Sequence, residues 1–334
     1  MNDLQEQIRD RIQAAKRVLI TSHVRPDGDA IGSSLGLALA LLAAGKQVGV
    51  ALSDGIPSGF RHLPGAELVR TRAEGEFDLI ICVDCSDLKR VGDALEGCRS
   101  PDIVIDHHLT AEAFGTLNLV EPAAVATASV LLRHMPAWGL GVTAPVAANL
   151  LTGLITDTLG FRTSNTTPEV LRQAASLLEL GVDMNDLYSR SLVRRTFTEA
   201  KYWGAGLSGL RLEHGIVWAT LTLADRKASG YTGKDDADLI NVVSSIEEAD
   251  VAIMFVEQSQ SRTKISWRGL RDDVDVSRIA RRFQGGGHKA AAGAELSGNL
   301  AEIQERVLEA TRESLELLMN PERLSPSRED TGTV

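Results

Sequence analysis

The chain has 334 residues, 43% of them hydrophobic and 24% charged, which is ordinary for a globular protein and enough for two domains with cores of their own. Lys and Arg number 35 against 45 Asp and Glu, a net charge of −10, so no basic stripe of the kind that tracks a long polyanion is evident, and a nucleic-acid substrate would need a local offset such as bound divalent cations. Three cysteines are too few for a disulfide framework, and the longest apolar run, Ala30–Ala44, falls short of the ~20 residues that span a bilayer.

Residues 1–18 read as an amphipathic polar helix without the apolar stretch of a signal peptide, so the expected residence is cytoplasmic, with no membrane association. Val18–Ser22 then reads as a short strand, Ala30–Ala44 as an apolar helix closed by Gly45, and Lys46–Leu52 as a second strand. Phe77–Asp84 and Asp102–Asp106 are further strands, apolar on both faces, and helices are expected at Ala126–His134, Ala144–Thr156 and Pro168–Leu180. This order predicts an α/β fold with a doubly wound, mainly parallel sheet. The pattern over 183–205 is helical and polar and predicts a helical linker. Beyond it, Leu207–Leu212 and Ile216–Leu223 read as a hairpin, Asp236–Glu247 as a helix, Val251–Glu257 and Thr263–Trp267 as a strand pair, and Val274–Phe283 as a helix before a glycine cluster. The predicted organisation is an N-terminal domain at 1–182, the linker at 183–205, a smaller α+β domain at 206–319, and a polar tail at 320–334 expected to be disordered.

The chemistry-bearing residues gather where strands end. His23, Asp27 and Asp29 stand between the first strand and its helix, Asp84 ends the strand FDLIICVD, Asp106, His107 and His108 end DIVID, and Asp157 follows the apolar helix ending GLITD. The carboxyl ends of parallel strands form the ligand crevice of an open α/β sheet, so most of these residues should converge. A single Asp after a strand is usually a helix cap or a turn residue. Four or five carboxylates in one crevice repel each other, however, and divalent ions remove that repulsion; two of them about 3.5–4 Å apart can clamp a phosphoryl group. Carboxylates mixed with imidazoles favour Mn²⁺ or a similar first-row cation, whereas oxygen ligands alone favour Mg²⁺.

Gly285, Gly286, Gly287 and His288 precede the small-residue stretch Ala290–Ala294. Glycines let backbone N–H groups approach an anion at a helix N-terminus, and His288 and Arg268 add charge; tight packing on a neighbour explains the same run equally well. Other signals are set aside. Gly204–Gly209 matches G-x-G-x-x-G but follows a helix and precedes a strand, the reverse of the dinucleotide context. Cys82 and Cys85 lack a second pair for zinc and read as packing residues. His62, His134 and His214 are isolated, and Trp267 reads as a core residue sooner than as a base-stacking one.

With these residues in place, the chain resembles the DHH phosphoesterases, nearest the subgroup of bifunctional oligoribonucleases and phosphoadenosine-phosphate phosphatases. SHVRPDGDAIGSSLGL, ICVDCSDLKRVGD, VIDHH, GLITDTLGFRTSNTTP and KISWRGLRDDVDVSRIARRFQGGGHKAAAG match the family's motifs in order, over residues 15 to 318. The resemblance implies one metal held by His23, Asp27 and Asp84 and a second held by Asp29, Asp84, His107 and Asp157, with Asp84 shared. It makes Asp106 the orienter of an imidazole, turns His108 to the substrate phosphate, and gives the terminal phosphate or nucleotide to Arg268, His288, Gly286 and Gly287. It implies Mn²⁺ as cofactor, with Mg²⁺ or Co²⁺ as substitutes, in-line attack by an activated water, and short single-stranded RNA or DNA oligonucleotides and nucleotides as substrates. Arg25 stands where Asn is expected, Glu121 where Asp is usual, Gly269 where Ser is commoner, and Gln284 where a first Gly is usual.

Rival readings are a long-strand single-strand DNA exonuclease, for which the length and a basic groove are lacking, and a cyclic-dinucleotide or linear dinucleotide phosphodiesterase. A manganese pyrophosphatase lacks the GGGH run, and a catalytically dead nucleotide sensor is opposed by the intact donor set. A homodimer is compatible with the sequence, which does not decide it.

Overall fold

The computed structural model describes residues 3–319; the tail expected at 320–334 lies outside the described residues. The chain divides between Arg194 and Arg195 into two compact units.

In the first unit the elements are α1 (Leu4–Ala14), β1 (Arg17–Thr21), α2 (Gly28–Ala43), β2 (Gln47–Ala51), β3 (Val69–Arg70), β4 (Leu79–Val83), β5 (Ile103–Asp106), β6 (Leu117–Val120), α3 (Thr127–His134), α4 (Ala144–Asp157), α5 (Pro168–Leu178) and α6 (Met184–Tyr188). The six strands form one parallel sheet in the order β3-β2-β1-β4-β5-β6. Strand order reverses between β1 and β4, and that is where an open parallel sheet leaves a crevice. Both central strands are buried on both faces. Val18 and Ile20 of β1, with Ile81 and Val83 of β4, meet the core lined by α2, α3 and α4. Leu19, Ile80 and Cys82 point the other way, onto Val91 and Ala94 of the short 3₁₀ segment Leu88–Leu95.

Three glycines spaced by four residues set the closest helix contact. A Cβ on Gly28 would meet Thr156 at 2.3 Å, one on Gly32 the carbonyl oxygen of Asn149 at 2.4 Å, and one on Gly36 the Leu150 side chain at 2.8 Å. The i, i+4 spacing puts them on one face of α2, against α4, and at Gly32 the two backbones meet. That spacing was present in the sequence, where the same stretch reads only as an apolar helix.

In the second unit the elements are α7 (Phe197–Ser208), β7 (Arg211–Glu213), β8 (Ile216–Leu221), α8 (Leu223–Ser229), α9 (Leu239–Val243), β9 (Val251–Ser259), β10 (Arg262–Gly269), α10 (Val276–Arg281), β11 (Gly286–Gly287), β12 (Ala291–Ser297) and α11 (Leu300–Met319). Its sheet runs β11-β12-β10-β9-β8-β7, parallel only between β8 and β9. Ile253 and Phe255 of β9 face α10 and α11, while Ala252, Met254 and Val256 face Tyr202 of α7 and Leu239 of α9.

The α/β fold with a mainly parallel sheet and a smaller α+β partner is thus as expected, with local differences. Residues 183–205 are not one helix. Leu187 of α6 is buried in the first unit's core, and α7 restarts in the second unit on a capping box between Thr196 and Glu199. The helix expected over Asp236–Glu247 shrinks to α9, because Ala237 and Asp238 take left-handed φ of 50° and 63°. Leu207 and Ser208 end a helix instead of starting a strand. β12 is alanine-rich and has little strand propensity of its own; its pairing with β10 makes it a strand.

Gly32→Ala should cost about 3 kcal/mol, since neither backbone can yield without separating the helices. Gly204→Ala, at an exposed helical site with nothing within 4 Å of the added carbon, should gain about 0.5–1 kcal/mol. Denaturant unfolding of both variants checks this; a neutral Gly32→Ala would remove the backbone contact from the account of the fold.

Candidate metal centre

His23 follows β1 and Asp84 follows β4, on either side of the switch point. Asp84 sits in the left-handed region at φ 53°, a conformation an Asp tolerates better than most residues, with its N–H held by the Ile105 carbonyl at 2.9 Å. Its Oδ2 lies 3.6 Å from His23 Nε2, and its Oδ1 lies 3.7 Å from both His107 Nε2 and His108 Nδ1. His23 Nε2 is also 3.8 Å from Asp27 Oδ2, and His107 Nε2 is 3.3 Å from Asp157 Oδ2. Among the described residues, three groups have ligand atoms within 4.8 Å of one another: His23, Asp27 and Asp84; Asp29, His107 and Asp157; and Asp84, His107 and His108. The first group has the residues expected for one metal, the second has three of the four expected for the other, and Asp84, the fourth, groups instead with His107 and His108.

The donor set suits divalent cations. His23 Nδ1 donates to the Val24 carbonyl at 2.8 Å and His107 Nδ1 to the Ala124 carbonyl at 3.2 Å, which leaves each Nε2 as the atom turned to the carboxylates. An Nε2 facing carboxylates at 3.3–3.8 Å is matched either by a proton on the ring or by a metal cation between the two. Ligand atoms about 2.0–2.2 Å from one cation stand roughly 3–3.6 Å apart, close to these spacings. Without an ion, protons take that place. Burial opposes charge on His23, but the Asp84 hydrogen bond and the charges of Asp84 and Asp27 outweigh it and lift the imidazolium to about 9. Burial would likewise raise Asp84, yet the three histidines hold it below the usual carboxylate range. Asp29 and Asp157 lack such compensation. Burial, then the neighbouring carboxylates, push both well above the ordinary value.

Asp27 is a helix cap, its Oδ1 accepting from Asp29 and Ala30 N–H, and its Oδ2 lies toward His23. Asp29 has another structural duty. Helix α3 begins after Ala126, which offers no side-chain cap, and Asp29 accepts the Thr127 N–H at 2.6 Å and the Ala128 N–H at 3.0 Å, with Ser33 Oγ donating as well. Asp106 stands behind the two histidines. Its Oδ1 accepts from the backbone N–H groups of His107 and His108 and from His108 Nδ1 at 2.7 Å, so it orients His108. Residues the sequence did not single out complete the centre. Thr127 Oγ1 donates to Asp84 Oδ1, and the Arg90 charge acts on His108. The only signal for Thr127 was a small-residue run, ATAS, opening a helix.

The glycine cluster differs from the expectation of a helix N-terminus. Gly286 and Gly287 form β11, paired with Gly293 and Ala292 of β12, so a strand follows them. A Cβ on Gly285 would strike the Gly293 carbonyl at 2.3 Å, and one on Gly287 the Ala291 carbonyl at 2.4 Å, which is the tight-packing alternative; Gly286 is open. Arg268 on β10 is in register with Ala291 of β12, whose carbonyl accepts from His288 N–H, so one strand, β12, separates Arg268 from the 286–288 segment. Burial lowers the Arg268 guanidinium from its ordinary value, against the supporting charges of Asp236 and Asp238.

The signals set aside turn out structural. Cys82 and Cys85 are buried. His134 is held by Glu121 and stacks on Trp138, His214 sits exposed in a hairpin turn, and Trp267 is buried against Phe283 with its N–H on Thr311. No helix among the described residues is long and apolar enough to cross a membrane.

A parallel sheet with carboxylates and imidazoles gathered at its switch point, joined in one chain to a mixed-sheet unit, is the framework of a hydrolase. Residues 17–156 match the DHH family, N-terminal domain, and residues 218–315 match the DHHA1 domain. The bifunctional oligoribonuclease and PAP phosphatase NrnA of Thermus thermophilus is 38% identical over 302 residues, covering 89% of this chain and 90% of that protein. The protein of the same description from Bacillus subtilis is 25% identical, covering 84% and 89%. The crystal structure of an exopolyphosphatase-related protein from Bacteroides fragilis superposes with a TM-score of 0.83 at 26% identity, covering 94% of this chain and 95% of that one. The chain belongs to the DHH family of phosphoesterases.

Asp157→Asn separates crowding from function. A carboxyl raised in the folded state favours folding at low pH, and that advantage is lost as pH climbs above the ordinary 3.8. In chelator the variant should therefore melt higher than the parent at pH 8, by about 2–4 °C for each kcal/mol relieved, with the gap closing toward pH 4. A lower Tm at pH 8 would contradict the crowding.

Proposed function

We propose that this phosphoesterase hydrolyses very short oligoribonucleotides to mononucleotides and 3′-phosphoadenosine 5′-phosphate to AMP and phosphate, using divalent cations, Mn²⁺ foremost. The observation that carries the reading is the pair of donor groups adjoining Asp84, in a chain 38% identical to a bifunctional oligoribonuclease and PAP phosphatase. His23, Asp27 and Asp84 would hold one cation and Asp29, Asp84, His107 and Asp157 a second. Cations there would neutralise the phosphoryl oxygens and supply a water acidic enough to attack at neutral pH.

The chain's own groups do the rest. Asp106 fixes the His108 ring through Nδ1, so that Nε2 delivers a proton to the departing oxygen. Burial disfavours the charged ring, but Asp106 and Asp84 outweigh it and keep His108 protonated above its ordinary range, as a proton donor requires. Arg268, His288 and the backbone of Gly286 and Gly287 bind the terminal phosphate or nucleotide in this reading. Half-buried, Arg268 would meet an anion partly shielded from water, where charge-assisted bonds are stronger than at an open surface.

Two measurements test the assignment. With a net charge of −10, phosphates beyond the first few find no counter-charge to add affinity. A trimer should therefore exceed a 24-mer in kcat/KM at equal ends by about tenfold or more; equal or faster turnover of the 24-mer would move the chain to the long-strand exonucleases. Arg268→Ala should lower kcat/KM for a trinucleotide about 100-fold, on the order of 3 kcal/mol for a charged contact, and change hydrolysis of a small artificial phosphodiester far less. Equal losses on both substrates would place Arg268 in the chemical step.

A further inference from the structure

The shared carboxylate of the centre is poorly fixed by its own chain. Asp84 follows β4 in a left-handed turn, and the carboxyl torsion of an Asp is broad and nearly two-fold, so the backbone does not decide which way the two oxygens face. Yet they face different groups, Oδ2 toward His23 and Oδ1 toward His107. Something must set the plane. Thr127 is the one donor hydroxyl on it among the described contacts: it is fully buried and its Oγ1 donates to Asp84 Oδ1 at 3.0 Å.

Thr127 stands at the first position of α3, where a hydroxyl commonly serves its own helix. Here the helix is capped from outside by Asp29, which accepts the Thr127 N–H at 2.6 Å. The hydroxyl is thereby released from capping and turned outward. One residue holds a carboxylate of each donor group: Asp29, 98 residues away, through its N–H, and Asp84, 43 residues away, through its hydroxyl.

We propose that Thr127 is a positioning residue that sets the plane of the Asp84 carboxylate, so that each oxygen serves a separate cation. This rests on the two-cation reading above. The hydroxyl occupies one lone pair of Oδ1 and bars rotation of the carboxylate toward chelation on either side. Valine keeps the shape and the N–H to Asp29 but removes the hydroxyl; serine keeps the hydroxyl.

The test is Mn²⁺ binding to metal-stripped protein, followed by calorimetry and by the rise of Tm with free Mn²⁺, for the parent, Thr127→Val, Thr127→Ser and Asp84→Ala. Loss of a group that orients a ligand costs about 10–100-fold in metal affinity, and Thr127→Val should show that loss with a metal-free Tm close to the parent's, while Thr127→Ser recovers most of the affinity. Parental affinity in Thr127→Val, with Asp84→Ala still weakened, overturns the positioning role alone. Equal weakening of the valine and serine variants, or a metal-free Tm that falls in both, makes Thr127 a packing residue and overturns it too. Parental Mn²⁺ binding by Asp84→Ala overturns the metal centre itself.

Discussion

Like charge concentrated at the end of a parallel sheet is the constraint on which the first unit turns. Asp29, Asp84 and Asp106 are buried there, with Asp157 half-buried and Asp27 exposed at the rim, and four of the five carboxylates have a named compensation. Asp84 leans on three imidazoles, Asp29 on two N–H groups and a hydroxyl, Asp106 on a fan of three donors from the two histidines, and Asp27 on the start of its own helix. The compensation is incomplete for Asp29 and is lacking for Asp157, and these carboxylates belong to a group that could hold a metal ion.

The glycine seam between α2 and α4 serves that arrangement. Asp29 lies in the first turn of α2 and Asp157 is the last residue of α4, and the close approach of Gly28 to Thr156 brings those two ends side by side. Gly153 leaves room for the Asp29 carboxylate itself, since a Cβ there would stand 2.6 Å from Oδ1. Packing density and site geometry are therefore one problem: the helices cannot be spread to relieve the charge without losing the contact that forms the core.

The departures from the family's usual residues acquire local reasons. Arg25 and Gln284 both adopt left-handed backbone, φ 54° and 59°, where Asn and Gly are the easy choices. Gln284 closes α10 with the following N–H on the Ala280 carbonyl, so it bears the strain a glycine would avoid. Glu121 reaches both Arg133 and His134, tying β6 to α3 beside the centre. Gly269 lies 3.2 Å, measured from an added Cβ, from the Val274 carbonyl, and nothing in the structure explains the loss of a hydroxyl there.

The sequence by itself determined the parallel sheet, because β1 and β4 are continuous apolar runs that only a sheet covered on both faces can bury. It determined the candidate donors as well, because Asp and His at the ends of successive strands must meet wherever parallel strands align. Strands whose pairing comes from partners were not legible: β3 and β11 are two residues long, and β12 is alanine-rich. Tertiary structure alone decided which oxygen of Asp84 faces which histidine, that Asp29 caps a helix begun 98 residues later, and that Thr127 spans both. Those are contacts between side chains and backbone far apart in the chain, and no local propensity or spacing encodes a distance across a fold.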